Sequence, residues 1–248
     1  MFKLFSRSKS SSSQKADFSA LKTDMHSHLI PDIDDGSPGI EASLDLIRGL
    51  SDLGYTKLIT TPHIMWDMYR NERDDILSRV DVLNAAVKKA GINVEVKAAA
   101  EYFLDEHVEQ LLKDNAPLLT ISGKMVLVEF SMALVPMSLR DILFELQMKG
   151  YQPIIAHPER YIYLEKNKEL YDELKEAGCM FQLNILALTG YYGKSSKEIA
   201  NYLVKKEYYD FVGTDLHHDR HLEALANPAL AEPLAKLIAT GKIKNSQL

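Results

Sequence analysis

The chain has 248 residues, 46% of them hydrophobic and 26% charged, with a formal net charge of −6. That length can bury a large single core, and no apolar run approaches the roughly 18 residues a membrane span needs. The acidic balance and the lack of a basic stripe argue against a nucleic-acid binder, while leaving room for a locally basic anion pocket.

The chain opens on MFKLFSRSKSSSSQKADF, which has no apolar core and no small-residue cleavage site, so it does not read as a secretory signal. Residues 1–19 are expected to form a disordered, Ser-rich tail. The sharper alternative is a weak membrane-surface contact through Phe2, Lys3, Leu4, Phe5, Arg7 and Lys9. A lone cysteine, Cys179, excludes an internal disulfide and a CxxC metal knuckle. Without signal or disulfide, the expected compartment is the cytoplasm.

From residue 20 onward a single domain is expected. The runs ALKTDMH, KLITTPH, VEVKAAAE, MVLVEF, PIIAHP, CMFQLN and DFVGTD fit seven strands. Helix-period segments separate them. Ser37-Pro38 suits an N-cap and first-turn pair, and Gly54 suits the end of the helix that follows. In SLRDILFELQMKG, Leu139, Ile142, Leu143 and Leu146 fall on one helix face, and Gly150 stops it. Gly91 and Gly178 are expected to end two further helices.

Repeated βα units close into a barrel or spread into an open sheet. The strand ends favour the barrel. They carry His26 and His28, then His63, Glu101, Glu129, His157, Asn184, and last Asp215 and His217. Only a barrel brings every strand's C-terminal end to one face. Residues i and i+2 of a strand share a side, so His26 projects with His28 and Asp215 with His217. On the first and last strands, the two pairs become neighbours across the closing seam. Asp35 joins from the loop after the first strand.

The nine candidates are five histidines, two aspartates and two glutamates. An all-N,O donor set suits Zn, Mn or Fe, and several carboxylates move the balance toward Mn. The set is too large for one ion and suits two or three. Each piece alone is weak; their joint placement on strand ends is what carries the reading. His107 and His221 are expected to face solvent, and the alternation turns His218 away from His217.

HSH, TPH, AEY, VEF, AHPER and TDLHH, in this order, resemble the polymerase and histidinol phosphatase (PHP) superfamily. Within it the chain is most similar to the bacterial manganese-dependent tyrosine phosphatases of capsule and exopolysaccharide loci, from about Thr23 to Pro228. The resemblance implies a distorted (β/α)7 TIM-like barrel with a trinuclear centre. By position, His26, His28, Glu101 and Asp215 would hold one ion, Glu101, Glu129 and His157 a second, and Asp35, His63 and His217 a third. Arg160 and Arg220 match arginines of the family and would bind phosphate through their planar forks.

The implied reaction is attack on phosphorus by a metal-bridging hydroxide, without a phospho-enzyme. The implied substrate is a phosphotyrosine protein, an autophosphorylated bacterial tyrosine kinase controlling polysaccharide export. Three rivals stand beside it. One is a phosphatase of histidinol phosphate or another small molecule on the same scaffold. Another is a non-catalytic metal-binding PHP domain. The third, an aspartyl-nucleophile phosphatase suggested by DIDDG, fails because HSHLIP, with Pro31, replaces the buried strand that motif needs. A cysteine-based mechanism fails too, since Ile185 stands where the phosphate-cradling Arg would follow Cys179.

Overall fold

The computed structural model describes residues 16–248. Strands β1 (Thr23–Asp24), β2 (Lys57–Thr60) and β4 (Glu95–Ala98) form one ladder. Strands β3 (His63–Ile64), β5 (Glu101–Phe103), β6 (Met125–Glu129), β7 (Gln152–Ala156), β8 (Met180–Asn184) and β9 (Phe211–Gly213) form the other, in that order. All pairings within the two ladders are parallel.

These nine pieces are seven strands, two of them interrupted. Thr61-Pro62 separates β2 from β3, and Pro62 has no N–H to give a ladder. Ala99-Ala100 separates β4 from β5. Hydrogen bonds bridge both gaps: Thr61 N–H donates to Ser27 O at 2.7 Å and Ala99 N–H to Thr60 O at 2.9 Å. The last strand returns to the first through a parallel bridge between Ser27 and Leu216. Asp215 N–H donates to His26 O at 2.8 Å and His28 N–H to Leu216 O at 2.9 Å. The α/β class and the distorted seven-strand arrangement are therefore as the repeat pattern predicts.

Two apolar layers hold the strands. A small cluster of Met25, Ile59, Ala99, Leu127, Ile154 and Phe211 with their neighbours packs among the strands. A much larger one lies between strands and helices. Leu127 belongs to the inner cluster, and Glu129, two residues on, continues on the same side. The strand floor is thus apolar, and its C-terminal rim is where polar side chains begin.

The helix from residue 139 follows its predicted face: in α4 (Leu139–Met148) Leu139, Ile142, Leu143 and Leu146 are buried. The first helix differs. It is α1 (Ile40–Asp52), capped at Gly39 and not at Ser37. Ser37 is buried, and its hydroxyl instead donates to Gly39 O at 3.0 Å. The other helices are α2 (Arg73–Lys89), α3 (Glu106–Lys113), α5 (Glu169–Glu176), α6 (Lys194–Lys205), α7 (Asp219–Leu225) and α8 (Ala231–Ala239).

The boundary at residue 20 needs correction. Ala16 and Phe18 are buried, and Phe18 stacks on Tyr55 with ring centroids 5.3 Å apart. Burial of that ring draws the chain into the fold before residue 20. Residues 1–15, with the rest of the expected tail and its membrane contact, lie outside the described residues. Among the described residues, no helix is long and apolar enough to cross a membrane.

Candidate metal centre

The rim collects all nine candidate residues. His26 and His28 follow β1, His63 and Glu101 open β3 and β5, Glu129 ends β6, His157 follows β7, and Asp215 and His217 follow β9. Asp35 comes from the loop between β1 and α1. Four overlapping groups have donor atoms within 4.8 Å of one another: His28, Asp35, His63 and His217; His26, His28 and Glu101; His26, His157 and Asp215; and His63, Glu101 and Glu129. The grouping differs slightly from the one the resemblance implies. His157 Nε2 is 3.1 Å from Glu101 Oε1 and 3.9 Å from Glu129 Oε2, but it also sits with His26 and Asp215.

The proton positions test whether these residues fit metal ions. Gln182 Oε1 accepts from the backbone N–H of His157 at 3.2 Å and meets His26 Nδ1 at 2.9 Å. A backbone N–H only donates, so this Gln182 atom is the oxygen, and His26 Nδ1 must carry its proton. Its Nε2 lone pair then faces Glu101 Oε2 at 3.1 Å and Asp215 Oδ1 at 3.3 Å. His28 repeats the device: Nδ1 meets the Asp34 carboxylate at 2.7 Å, and Nε2 lies 3.5 Å from Glu101 Oε2. His217 Nδ1 meets Asp215 O at 2.8 Å, and its Nε2 lies 3.6 Å from Asp35 Oδ1. His63 Nδ1 is buried without a hydrogen-bond partner, 3.1 Å from Glu129 Oε1.

The Nε2 lone pairs of His26, His28 and His217 therefore face carboxylate oxygens, and His157 Nδ1, like His63 Nδ1, is buried without a partner. Such an arrangement needs cations between the atoms, and the donor chemistry fits divalent metal ions. Without a metal, protons must take that place. Burial disfavours the His26 cation, yet Glu101 and Asp215 outweigh it and raise the ring to about 9. Burial likewise opposes the charge on Glu101, while His26 and His63 hold it well below the carboxylate range.

The backbone is bent to bring two of these groups in. His157 has φ 32° and Asp215 φ 51°, both in the left-handed region. For non-glycine residues that costs roughly 1–3 kcal/mol each and is characteristic of functional sites.

The rim opens into a cleft of about 230 Å3, lined by Asp35, His63, Arg160, Tyr192, Asp215, His217, His218 and His221. Arg160 reaches it from the turn after β7: Nη1 donates to Asp215 Oδ2 at 2.8 Å, and the guanidinium lies 4.9 Å from the Tyr192 ring centroid. Arg220 is exposed on α7 and is not among the lining residues.

The family model for capsular polysaccharide synthesis, CpsB/CapC, matches residues 22–239, which include every one of these side chains. The chain belongs to this family. It is 33% identical over 195 residues to the tyrosine-protein phosphatase YwqE of Bacillus subtilis, covering 79% of this chain and 77% of that one. It is 30% identical over 201 residues to the tyrosine-protein phosphatase CpsB of Streptococcus agalactiae, covering 79% and 82%. A crystal structure described as that of YwqE from Bacillus subtilis and CpsB from Streptococcus pneumoniae, unique metal-dependent tyrosine phosphatases, superposes with a TM-score of 0.77. It shares 31% identity and covers 86% of each chain.

Sequence reasoning left several contributors to this CpsB/CapC site unassigned. Asp34, in the same DIDDG stretch as Asp35, orients His28 and also accepts from His63 N–H at 3.0 Å. Gln182 sits two residues before the strand-end Asn184, on the same side, so alternation could have found it. Asn184 Nδ2 donates to Asp215 Oδ2 at 3.0 Å. Glu159, beside Arg160, is buried and takes up Asn184 N–H at 2.8 Å and the Tyr209 hydroxyl at 2.8 Å. Burial raises its carboxyl to about 7.

Two of the bland assignments need correction. His221 is buried, because α7 folds it back against His217 in an edge-to-face contact, with centroids 5.7 Å apart. Burial, then the neighbouring His218, lowers its ring to about 4. His107 is half-buried and stacks on Trp66 at 3.9 Å. His218 is exposed, as the alternation predicts.

Proposed function

We propose that the chain is a metal-dependent protein-tyrosine phosphatase, formed by one metallophosphatase unit from Ala16 onward. The observation that carries this is the set of Nε2 lone pairs on His26, His28 and His217, each held toward carboxylates by a donor bond from its own Nδ1. The four overlapping groups accommodate two or three ions. Carboxylate-rich sites favour Mn, with Fe, Zn and Mg as alternatives.

Bound divalent ions supply Lewis acidity and lower the pKa of a water ligand, so that hydroxide is available at neutral pH. The chain's own groups do the rest. Gln182, Asp34 and the Asp215 carbonyl fix the tautomers of His26, His28 and His217. Arg160 spends one N–H on Asp215 and presents the remaining fork to the cleft, where it holds phosphate oxygens and balances their charge. The Tyr192 ring beneath the guanidinium restricts its tilt. The tyrosine leaving group has a pKa of about 10, so departure needs little protonation. The tyrosine-phosphate specificity rests on the family's named members. A bacterial tyrosine kinase, autophosphorylated in the cytoplasm, is the partner this reading implies.

The test is metal analysis of the purified chain with aryl-phosphatase assays, with and without Mn and chelator. Phosphotyrosine peptide and histidinol phosphate are compared as substrates. The peptide should be preferred, and the paired substitution His26→Ala with His28→Ala should abolish both metal content and turnover. Arg160→Ala should lower kcat/KM by about 10²–10³-fold while leaving metal content intact; Arg220→Ala tests the exposed arginine alongside. Activity that survives chelation would sink the metal mechanism.

A further inference from the structure

His221 lies outside the nine candidate ligands, yet it is buried and lines the same cleft as Asp35, His63, Arg160 and His217. Its ring is held from several sides. Tyr191 meets it edge-on at 5.3 Å and His217 at 5.7 Å with planes at 90°. The backbone N–H of His217 donates to its Nδ1 at 3.3 Å. Since a backbone N–H cannot accept, Nδ1 is a lone pair and the ring proton sits on Nε2. No group among the described residues accepts from that Nε2–H, and it is not one of the fully buried unpaired atoms. It is a free donor in the cleft that Arg160 also lines.

We infer that His221 is a substrate-binding residue, whose Nε2–H donates a hydrogen bond to a phosphoryl oxygen of the bound phosphomonoester. This rests on the phosphatase reading above and adds a neutral donor to the charged one from Arg160. The complementarity is direct: a phosphate dianion offers only acceptors, and His221 Nε2–H and the remaining Arg160 fork are donors on the same cleft. The residue does not transfer its proton. The donor is fixed in tautomer by His217, the neighbour it also packs against, so a candidate metal ligand just before α7 and a phosphate donor on α7 are joined by one backbone hydrogen bond.

The experiment compares wild type with His221→Leu and His221→Gln. His221→Leu removes the donor at similar bulk, and His221→Gln keeps an N–H. Metal content, melting temperature, kcat and KM for p-nitrophenyl phosphate, and affinity for inorganic phosphate are measured on metal-loaded protein. The expected result is unchanged metal content, with His221→Leu losing about 10- to 100-fold in kcat/KM and in phosphate affinity, the range of a lost hydrogen bond to a charged oxygen. His221→Gln should recover a substantial part of both. Equal losses in the two variants, or loss of metal with the side chain, would assign His221 to packing and overturn the inference. So would a His221→Leu variant within twofold of wild type. If fully metal-loaded wild type turned over no aryl phosphate, the phosphatase reading would fall, and the phosphate-affinity comparison would still decide the role of His221.

Discussion

At the scale of single residues, the centre depends on side chains that never meet substrate. Gln182 is fully buried, and its one oxygen serves both His26 Nδ1 and the His157 backbone. Gly213 shows how tightly this pair is packed: a Cβ there would lie 2.7 Å from His26 Cβ and 2.7 Å from Gln182 Nε2. Gln182→Leu removes the acceptor that fixes the His26 tautomer. Metal affinity should fall by about 10- to 100-fold, while Gln182→Glu, which still accepts, should fall less. Metal titration calorimetry on stripped protein decides it, and equal affinity in the leucine variant would disprove the orienting role. Cys179 plays no part in this chemistry. It is buried, and burial pushes its thiol up to about 11, so it is an inert packing group.

At the scale of elements, short contacts at the N-terminal ends of the strands, opposite the rim, hold the last strands in place. Asp210, just before β9, accepts from Phe181 N–H at 3.1 Å, Lys175 Nζ on α5 at 2.8 Å and Lys244 Nζ at 2.7 Å. It thereby ties β8, α5 and the C-terminal segment to the last strand. Burial raises its pKa, but the hydrogen bonds from Lys175 and Lys244 outweigh that and hold the carboxyl below the usual carboxylate range. A folded-state pKa below the unfolded one gives stability that is fully present above the unfolded value and is lost as pH falls through the folded one. Asp210→Asn should therefore cost about 1 kcal/mol at neutral pH, a modest figure because the lysines are partly exposed. The deficit should shrink toward zero in acid. Denaturant melts at neutral and acidic pH check this, and a deficit that grew with acidification would contradict it.

At the scale of the whole molecule, the candidate centre joins the first strand to the last and draws donors from six of the seven. Ion binding at these donors would therefore stabilise the arrangement of the strands as well as the site. A ligand that binds only the folded state adds about 2.7 kcal/mol at a hundredfold excess over its Kd. For a chain of this size that is a rise of about 5–10 °C in melting temperature. Calorimetry with Mn and with chelator should show this difference, and it should vanish in the His26→Ala, His28→Ala variant. An unchanged melting temperature on metal removal would mean that the rim is held without ions.

The sequence by itself determined the βα repeat, the seven strands and the nine candidate donors. Each rests on a local signal: strand period, glycine stops, or a polar residue ending an apolar run. It also pointed to the family through spaced motifs. Only the tertiary structure decided how the donors group, because grouping depends on distances between strands far apart in the chain. His26 and Gln182 are 156 positions apart yet share a bond. The same reason explains the misreadings. His221 looked like a solvent residue in a charged stretch, and only the return of α7 against His217 buries it. Phe18 looked like part of a polar tail, and only the folded chain brings Tyr55 and Leu53 against it. DIDDG likewise separates into roles in three dimensions: Asp34 orients His28, while Asp35 stands beside His63 and His217. Local sequence sets which side chains are offered at the rim; packing in three dimensions sets which nitrogen of His26, His28 and His217 carries the proton, and so which lone pairs are turned toward the place a metal would take.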